Sequence, residues 1–143
     1  MRILIVDDEA VSLTKLQTLL ASYGECDTAT NGQQALTLFK QAHADGRPYG
    51  LITMDIRMPD MSGQQTVAAI RTWEKDKAQV GARIVMVTAV QDLAAVSTSI
   101  RSGSDGYLMK PFTPENVRDA LAALGLAKGK LSLKLKQPPT PQG

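Results

Sequence analysis

Residues 2–9 read Arg-Ile-Leu-Ile-Val-Asp-Asp-Glu, and the order of those residues decides the fold. Ile3 to Val6 form a branched aliphatic run with no polar interruption. A strand with one wet face would alternate. An unbroken run suits a strand buried on both faces, the habit of parallel sheets covered by helices. The run stops at two carboxylates, Asp7 and Asp8. The same shape recurs downstream. Leu51-Ile52-Thr53-Met54 ends at Asp55, Ile84-Val85-Met86-Val87 at Thr88, and Gly106-Tyr107-Leu108-Met109 at Lys110. A fifth run, Cys26 to Ala29, ends in no such residue. Ligands of open parallel α/β sheets bind outside the carboxyl ends of the strands. Three carboxylates, a hydroxyl and an ammonium arriving there suit a divalent cation and a phosphoryl group.

Helical periodicity fills the gaps between the runs. Leu13, Leu16, Leu19 and Leu20 share one face, as do Ala35, Leu38, Phe39 and Ala42. Val67, Ile70 and Trp73 mark a third helix. Leu93, Val96 and Ile100 mark a fourth, and Val117, Ala120, Leu121 and Leu124 a fifth. Punctuation agrees: Gly24 and Gly103 follow helices, Asn31-Gly32 and Ser62-Gly63 precede them, and Thr113-Pro114 offers an N-cap with proline at the first helical position. The expected fold is α/β, a doubly wound (βα)5 unit with a parallel sheet in the order 2-1-3-4-5 and right-handed crossovers.

Composition narrows the function. At 143 residues, 43% hydrophobic and 21% charged, the chain has the make-up of one globular domain. Cys26 is its one cysteine, so no internal disulfide forms, which fits a reducing cytoplasm. The first strand opens at Arg2, so no signal peptide is expected, and no apolar run reaches the ~20 residues of a membrane helix. The formal charge of +2 is carried by Lys128, Lys130, Lys134 and Lys136; in residues 1–126, 12 bases face 14 acids. The body is therefore not expected to bind nucleic acid directly.

The strand-end residues have ordinary uses as well. One aspartate suffices to cap a helix, but a pair facing Asp55 across neighbouring strands would repel, and at least one carboxyl would titrate high. A divalent cation relieves that repulsion. Oxygen ligands in an incomplete cage favour Mg²⁺, which takes one or two carboxylates plus a phosphate oxygen. A carboxylate can also accept a phosphoryl group as an aspartyl-phosphate. Lys110 is the available point cation, followed by Pro111, where a cis bond is accessible. Thr88 can donate its hydroxyl to a phosphoryl oxygen.

Together, Val6-Asp7-Asp8-Glu9, Met54-Asp55-Ile56-Arg57-Met58-Pro59, Val87-Thr88-Ala89 and Gly106-Tyr107-Leu108-Met109-Lys110-Pro111-Phe112 resemble the receiver domain of two-component response regulators, over residues 1 to about 126. The resemblance implies the flavodoxin-like sandwich. It implies that Asp55 is the phosphoacceptor, served by a histidine kinase or a histidine phosphotransfer protein. Asp7, Asp8, Asp55 and the backbone carbonyl of Arg57 would hold Mg²⁺. Thr88 and Lys110 would meet the phosphoryl oxygens, and Thr88 with Tyr107 would form the switch. A downstream protein would read the face made by the fourth helix, fifth strand and fifth helix. The only catalysis implied is the domain's own phosphoryl transfer and aspartyl-phosphate hydrolysis. Ser104 departs from the family, which often has alanine there.

Residues 127–143 form a basic, proline-containing tail, a linker end or a partner-docking segment, since Leu131, Leu133 and Leu135 alternate with polar residues. No output domain follows within the chain, so a chemotaxis-type stand-alone receiver or part of a longer regulator is expected, with a second copy of the chain as a further candidate partner. Two other functions compete. A Mg²⁺-dependent aspartyl-phosphate hydrolase of the haloacid-dehalogenase type needs Asp-x-Asp after the first strand, and Asp7-Asp8-Glu9 has the wrong spacing. A phosphate-independent binding module on a receiver scaffold predicts loss of site residues, and all of them are here.

Overall fold

The computed structural model describes residues 1–89, 92, 94 and 103–127. The expectations for the helix on Leu93, Val96 and Ile100 and for the tail beyond Ala127 lie outside the described residues. The strands are β1 (Arg2–Val6), β2 (Glu25–Ala29), β3 (Leu51–Asp55), β4 (Arg83–Thr88) and β5 (Gly106–Met109). The described helices are α1 (Ala10–Leu20), α2 (Gly32–Ala44), α3 (Gly63–Asp76) and α4 (Pro114–Ala123). All strand pairs are parallel, in the order β2-β1-β3-β4-β5.

The unbroken apolar runs do what their composition requires. Leu4, Val6, Ile52, Met54, Ile84 and Met86 face α2 and α3, packing with Phe39, Val67 and Ile70. Ile3, Ile5, Leu51, Val85, Val87 and Leu108 face the other way, against Leu16 and Leu20 of α1 and Val117 and Leu121 of α4. Each such buried aliphatic side chain contributes roughly 2 kcal/mol relative to an exposed one. Leu126 and Ala127 also pack on this second face.

Helix starts follow local chemistry. Asn31 accepts the Gln34 N–H, Thr113 accepts that of Asn116 ahead of Pro114, and Ser62 forms a reciprocal capping box with Gln65. Gly63 is forced by space: a Cβ there would lie 2.1 Å from the Asp55 carbonyl oxygen. That contact lets α3 start directly over the end of β3.

Register then assembles the site. Val6 pairs with Met54, so the residues that follow, Asp7 and Asp55, end neighbouring strands. Asp55 pairs with Val87, one residue before Thr88. The Lys110 N–H donates to the Thr88 carbonyl at 2.8 Å. Among the described residues no helix is long and apolar enough to cross a membrane.

Candidate functional site

Asp7 is fully buried, Asp8 is exposed, and Asp55 is 7% exposed. A carboxylate oxygen of each lies within 4.8 Å of the others. Neither Asp7 nor Asp8 caps α1. The N-cap is Glu9, with no side-chain capping bond, and Asp7 Oδ1 instead accepts the Glu9 N–H at 2.9 Å. Lys110 Nζ reaches across the cluster, 3.1 Å from Glu9 Oε1 and 3.5 Å from Asp7 Oδ2. The Lys110–Pro111 bond is cis.

The electrostatics follow from that crowding. Burial pushes the Asp55 carboxyl up to about 7; the neighbouring Asp7 charge adds to the rise and Lys110 opposes it. Burial raises Asp7 as well, against the Glu9 N–H and the Lys110 charge. Desolvation alone would lower Lys110, but Asp55, Glu9 and Asp7 together hold it above the usual lysine range. Glu9, at the surface, is drawn below the usual range by the Lys110 hydrogen bond. The repulsion expected of these acids from sequence is therefore present, and one ammonium does not cancel it.

Asp7 Oδ2 is buried with no hydrogen-bond partner; Lys110 stands at ion-pair distance only. A buried anionic oxygen left open, beside two more carboxylates, is the donor set a hard divalent cation takes. The residues fit Mg²⁺. The cluster opens into a cleft of about 340 Å³ bordered by Asp8, Glu9, Asp55, Arg57, Asp92 and Lys110.

Thr88 and Tyr107 are not among the residues that border this cleft. Thr88 ends β4, is buried, and donates its hydroxyl to the Ala89 carbonyl at 3.0 Å. Tyr107 is 48% exposed and pairs with Met86, two residues before Thr88, so it is on the adjacent strand but not at its end. Asp92 had no sequence signal at all. It meets Arg57 in an ion pair spanning 35 residues, with Nε and Nη2 at 2.7 and 2.6 Å from Oδ1. Only the fold brings those two loops together.

With this geometry in place, kinship can be assigned. The family model of the response regulator receiver domain matches residues 3–122. The chain is a response regulator receiver domain. It is 34% identical over 122 residues to the chemotaxis protein CheY of Thermotoga maritima, a match covering 84% of this chain and 93% of CheY. It is 37% identical over 112 residues to the sensor protein GacS of Pseudomonas syringae, covering 78% of this chain but only 12% of GacS. Among solved structures it resembles the receiver domain of Saccharomyces cerevisiae Ssk1, co-crystallised with the histidine phosphotransfer signaling protein Ypd1. That match has a TM-score of 0.73 at 27% identity and covers 85% of this chain and 86% of the other. Receiver domains are signalling modules of two-component systems. The fold expected from sequence, flavodoxin-like with strand order 2-1-3-4-5, is the one found.

Proposed function

We propose that this receiver domain is a phosphorylation-activated switch in which Asp55 accepts a phosphoryl group from a histidine kinase or a histidine phosphotransfer protein. The observation that carries the reading is the Asp55 carboxyl itself: nearly buried, within 4.8 Å of two other carboxylates, in a cleft that also holds Lys110. An Asp55 oxygen attacks phosphorus, the P–N bond of the donor phosphohistidine breaks, and its electron pair leaves on the imidazole nitrogen, which takes up a proton. Hydrolysis later attaches a water oxygen to phosphorus and returns the Asp55 carboxylate with inorganic phosphate. Asp55 must be ionised to attack, and a cation beside it favours that form. Mg²⁺ held by Asp7, Asp8, Asp55 and the Arg57 backbone carbonyl would offset charge on the phosphoryl oxygens. Lys110 and Thr88 supply further contacts to those oxygens.

The new group brings up to about two negative charges and three acceptor oxygens. Thr88 turns toward it, Tyr107 rotates into the vacated space, and a protein partner reads the face that includes β5 and α4. The Ssk1 receiver crystallised with its phosphotransfer protein supports the class of donor. We place the domain at residues 1–126 and the action in the cytoplasm; deleting residues 129–143 is expected to leave phosphorylation intact.

Intact-mass analysis with acetyl phosphate and Mg²⁺ tests the assignment. One added phosphoryl group is expected, lost in Asp55→Asn and on chelation. Full labelling of Asp55→Asn overturns it.

A further inference from the structure

Arg57 lies two residues past Asp55, yet its guanidinium is turned to Asp92, with two nitrogens on one oxygen at 2.7 and 2.6 Å. The Arg57 side chain is 77% exposed and Asp92 is 9% exposed. The pair is a ridge between two depressions. One is the acidic cleft of about 340 Å³; the other, about 560 Å³, is bordered by Ile56, Met58, Pro59 and Ser62. Asp8, Arg57 and Asp92 border both.

The Asp92 N–H donates to the Ala89 carbonyl at 3.0 Å. The Thr88 hydroxyl donates to that same carbonyl, also at 3.0 Å. The Thr88 hydroxyl and the Arg57 guanidinium are thus both occupied at one corner, by Ala89 and Asp92, rather than at Asp55. Only the Arg57 end of the pair faces solvent, so the guanidinium can leave Asp92 without having to be unburied. A guanidinium fork also matches phosphate oxygens.

We infer that Arg57 and Asp92 form an electrostatic latch: Asp92 holds the guanidinium in the resting domain, and a phosphoryl group on Asp55 draws it off. The inference rests on Asp55 being the phosphoacceptor. When the guanidinium leaves, Asp92 loses the fastening that ties its corner to the loop after β3. When the Thr88 hydroxyl turns as well, the Ala89 carbonyl loses one of its two donors. Arg57 is a positioning residue: its side chain acts on the bound group and, through Asp92, on the corner.

The two possible actions of Asp92 separate in a double-mutant cycle. If Asp92 only repels the incoming anion, removing its charge helps whether or not Arg57 is present. If it restrains Arg57, removing its charge helps only when Arg57 is there to be released. Beryllofluoride with Mg²⁺ is the probe, titrated by calorimetry into the full chain and into Asp92→Asn, Arg57→Ala and the double variant. Asp92→Ser provides a second uncharged form, and thermal melts confirm that each is folded. Because the Arg57 end of the pair faces solvent, Asp92→Asn is expected to tighten binding by about two- to fivefold. Arg57→Ala is expected to weaken it, and Asp92→Asn to have no effect in the Arg57→Ala background. Equal tightening in both backgrounds overturns the latch while leaving Asp55 as the acceptor. No beryllofluoride uptake by the unaltered chain overturns both.

Discussion

Asp27 and Asp55 are both carboxylates on strands of one sheet, and the protein treats them in opposite ways. Asp27, on β2, is partly desolvated, but the Tyr49 hydroxyl donates to its Oδ2 at 2.7 Å and Arg2 Nη2 at 2.6 Å. Those bonds outweigh the desolvation and hold its carboxyl below the usual range. Asp55 gathers two acids and one lysine and titrates near neutrality.

The contrast extends to whole ends of the sheet. At the amino end of β4 and β5, Arg71 spreads one guanidinium over Gly103 O, Ala82 O, Glu74 Oε1 and Asp105 Oδ2 at 2.7–2.9 Å. Glu74 Oε2 accepts the Ala82 N–H and Asp105 Oδ2 the Ile84 N–H. Arg71, Glu74 and Asp105 are each closed by partners within the chain. At the carboxyl end, Asp7 Oδ2 is left without a hydrogen bond. A closed network has little left to offer a ligand, whereas an open one keeps part of its charge for a cation and an anion from outside.

Breaking the closed end is expected to have the largest effect. Arg71→Ala strands the buried Glu74 and frees two backbone carbonyls, and should cost about 3 kcal/mol in denaturant unfolding. A loss below about 1 kcal/mol would mean the network is ornament rather than fastening.

At the open end the sign reverses. Asp55 binds its proton more tightly folded than unfolded, since its carboxyl moves from 3.8 to about 7. The folded state therefore holds more protons between those values, and stability falls as pH rises from about 4 to about 7 and then levels. Asp55→Asn removes that fall, so without Mg²⁺ it should gain roughly 2 kcal/mol at pH 8 and little at pH 4. Adding Mg²⁺ should stabilise the parent domain and narrow the gap. A destabilised Asp55→Asn at pH 8 would refute the view of this end as held under repulsion.

The smallest effect tests whether every orphaned polar atom signals function. Thr53 Oγ1 and Ser104 Oγ are buried without partners, like Asp7 Oδ2, but belong to residues outside the Asp7–Asp8–Asp55 cluster. Thr53→Val and Ser104→Ala should each gain about 1 kcal/mol, because an unpaired hydroxyl is removed. Both should still take up phosphate on Asp55. Loss of labelling would show that the hydroxyls belong to the site.

The order of residues alone was enough to read the alternation of buried strands and helices, and the set Asp7, Asp8, Asp55, Thr88 and Lys110 at the strand ends. Those follow from local rules: an apolar run has a readable length, and a polar residue closing it has a readable position. It could not tell which of Asp7 and Asp8 would turn inward, because both satisfied the same local pattern as caps and neither became one. Nor could it pair Arg57 with Asp92, Arg71 with Asp105, or Asp27 with Tyr49. Ion pairs and hydrogen bonds act over a few ångströms, and only the strand register and the packing of loops set those distances between residues tens of positions apart. The departure at Ser104, legible as a family difference, acquired a meaning only when the fold buried its hydroxyl without a partner.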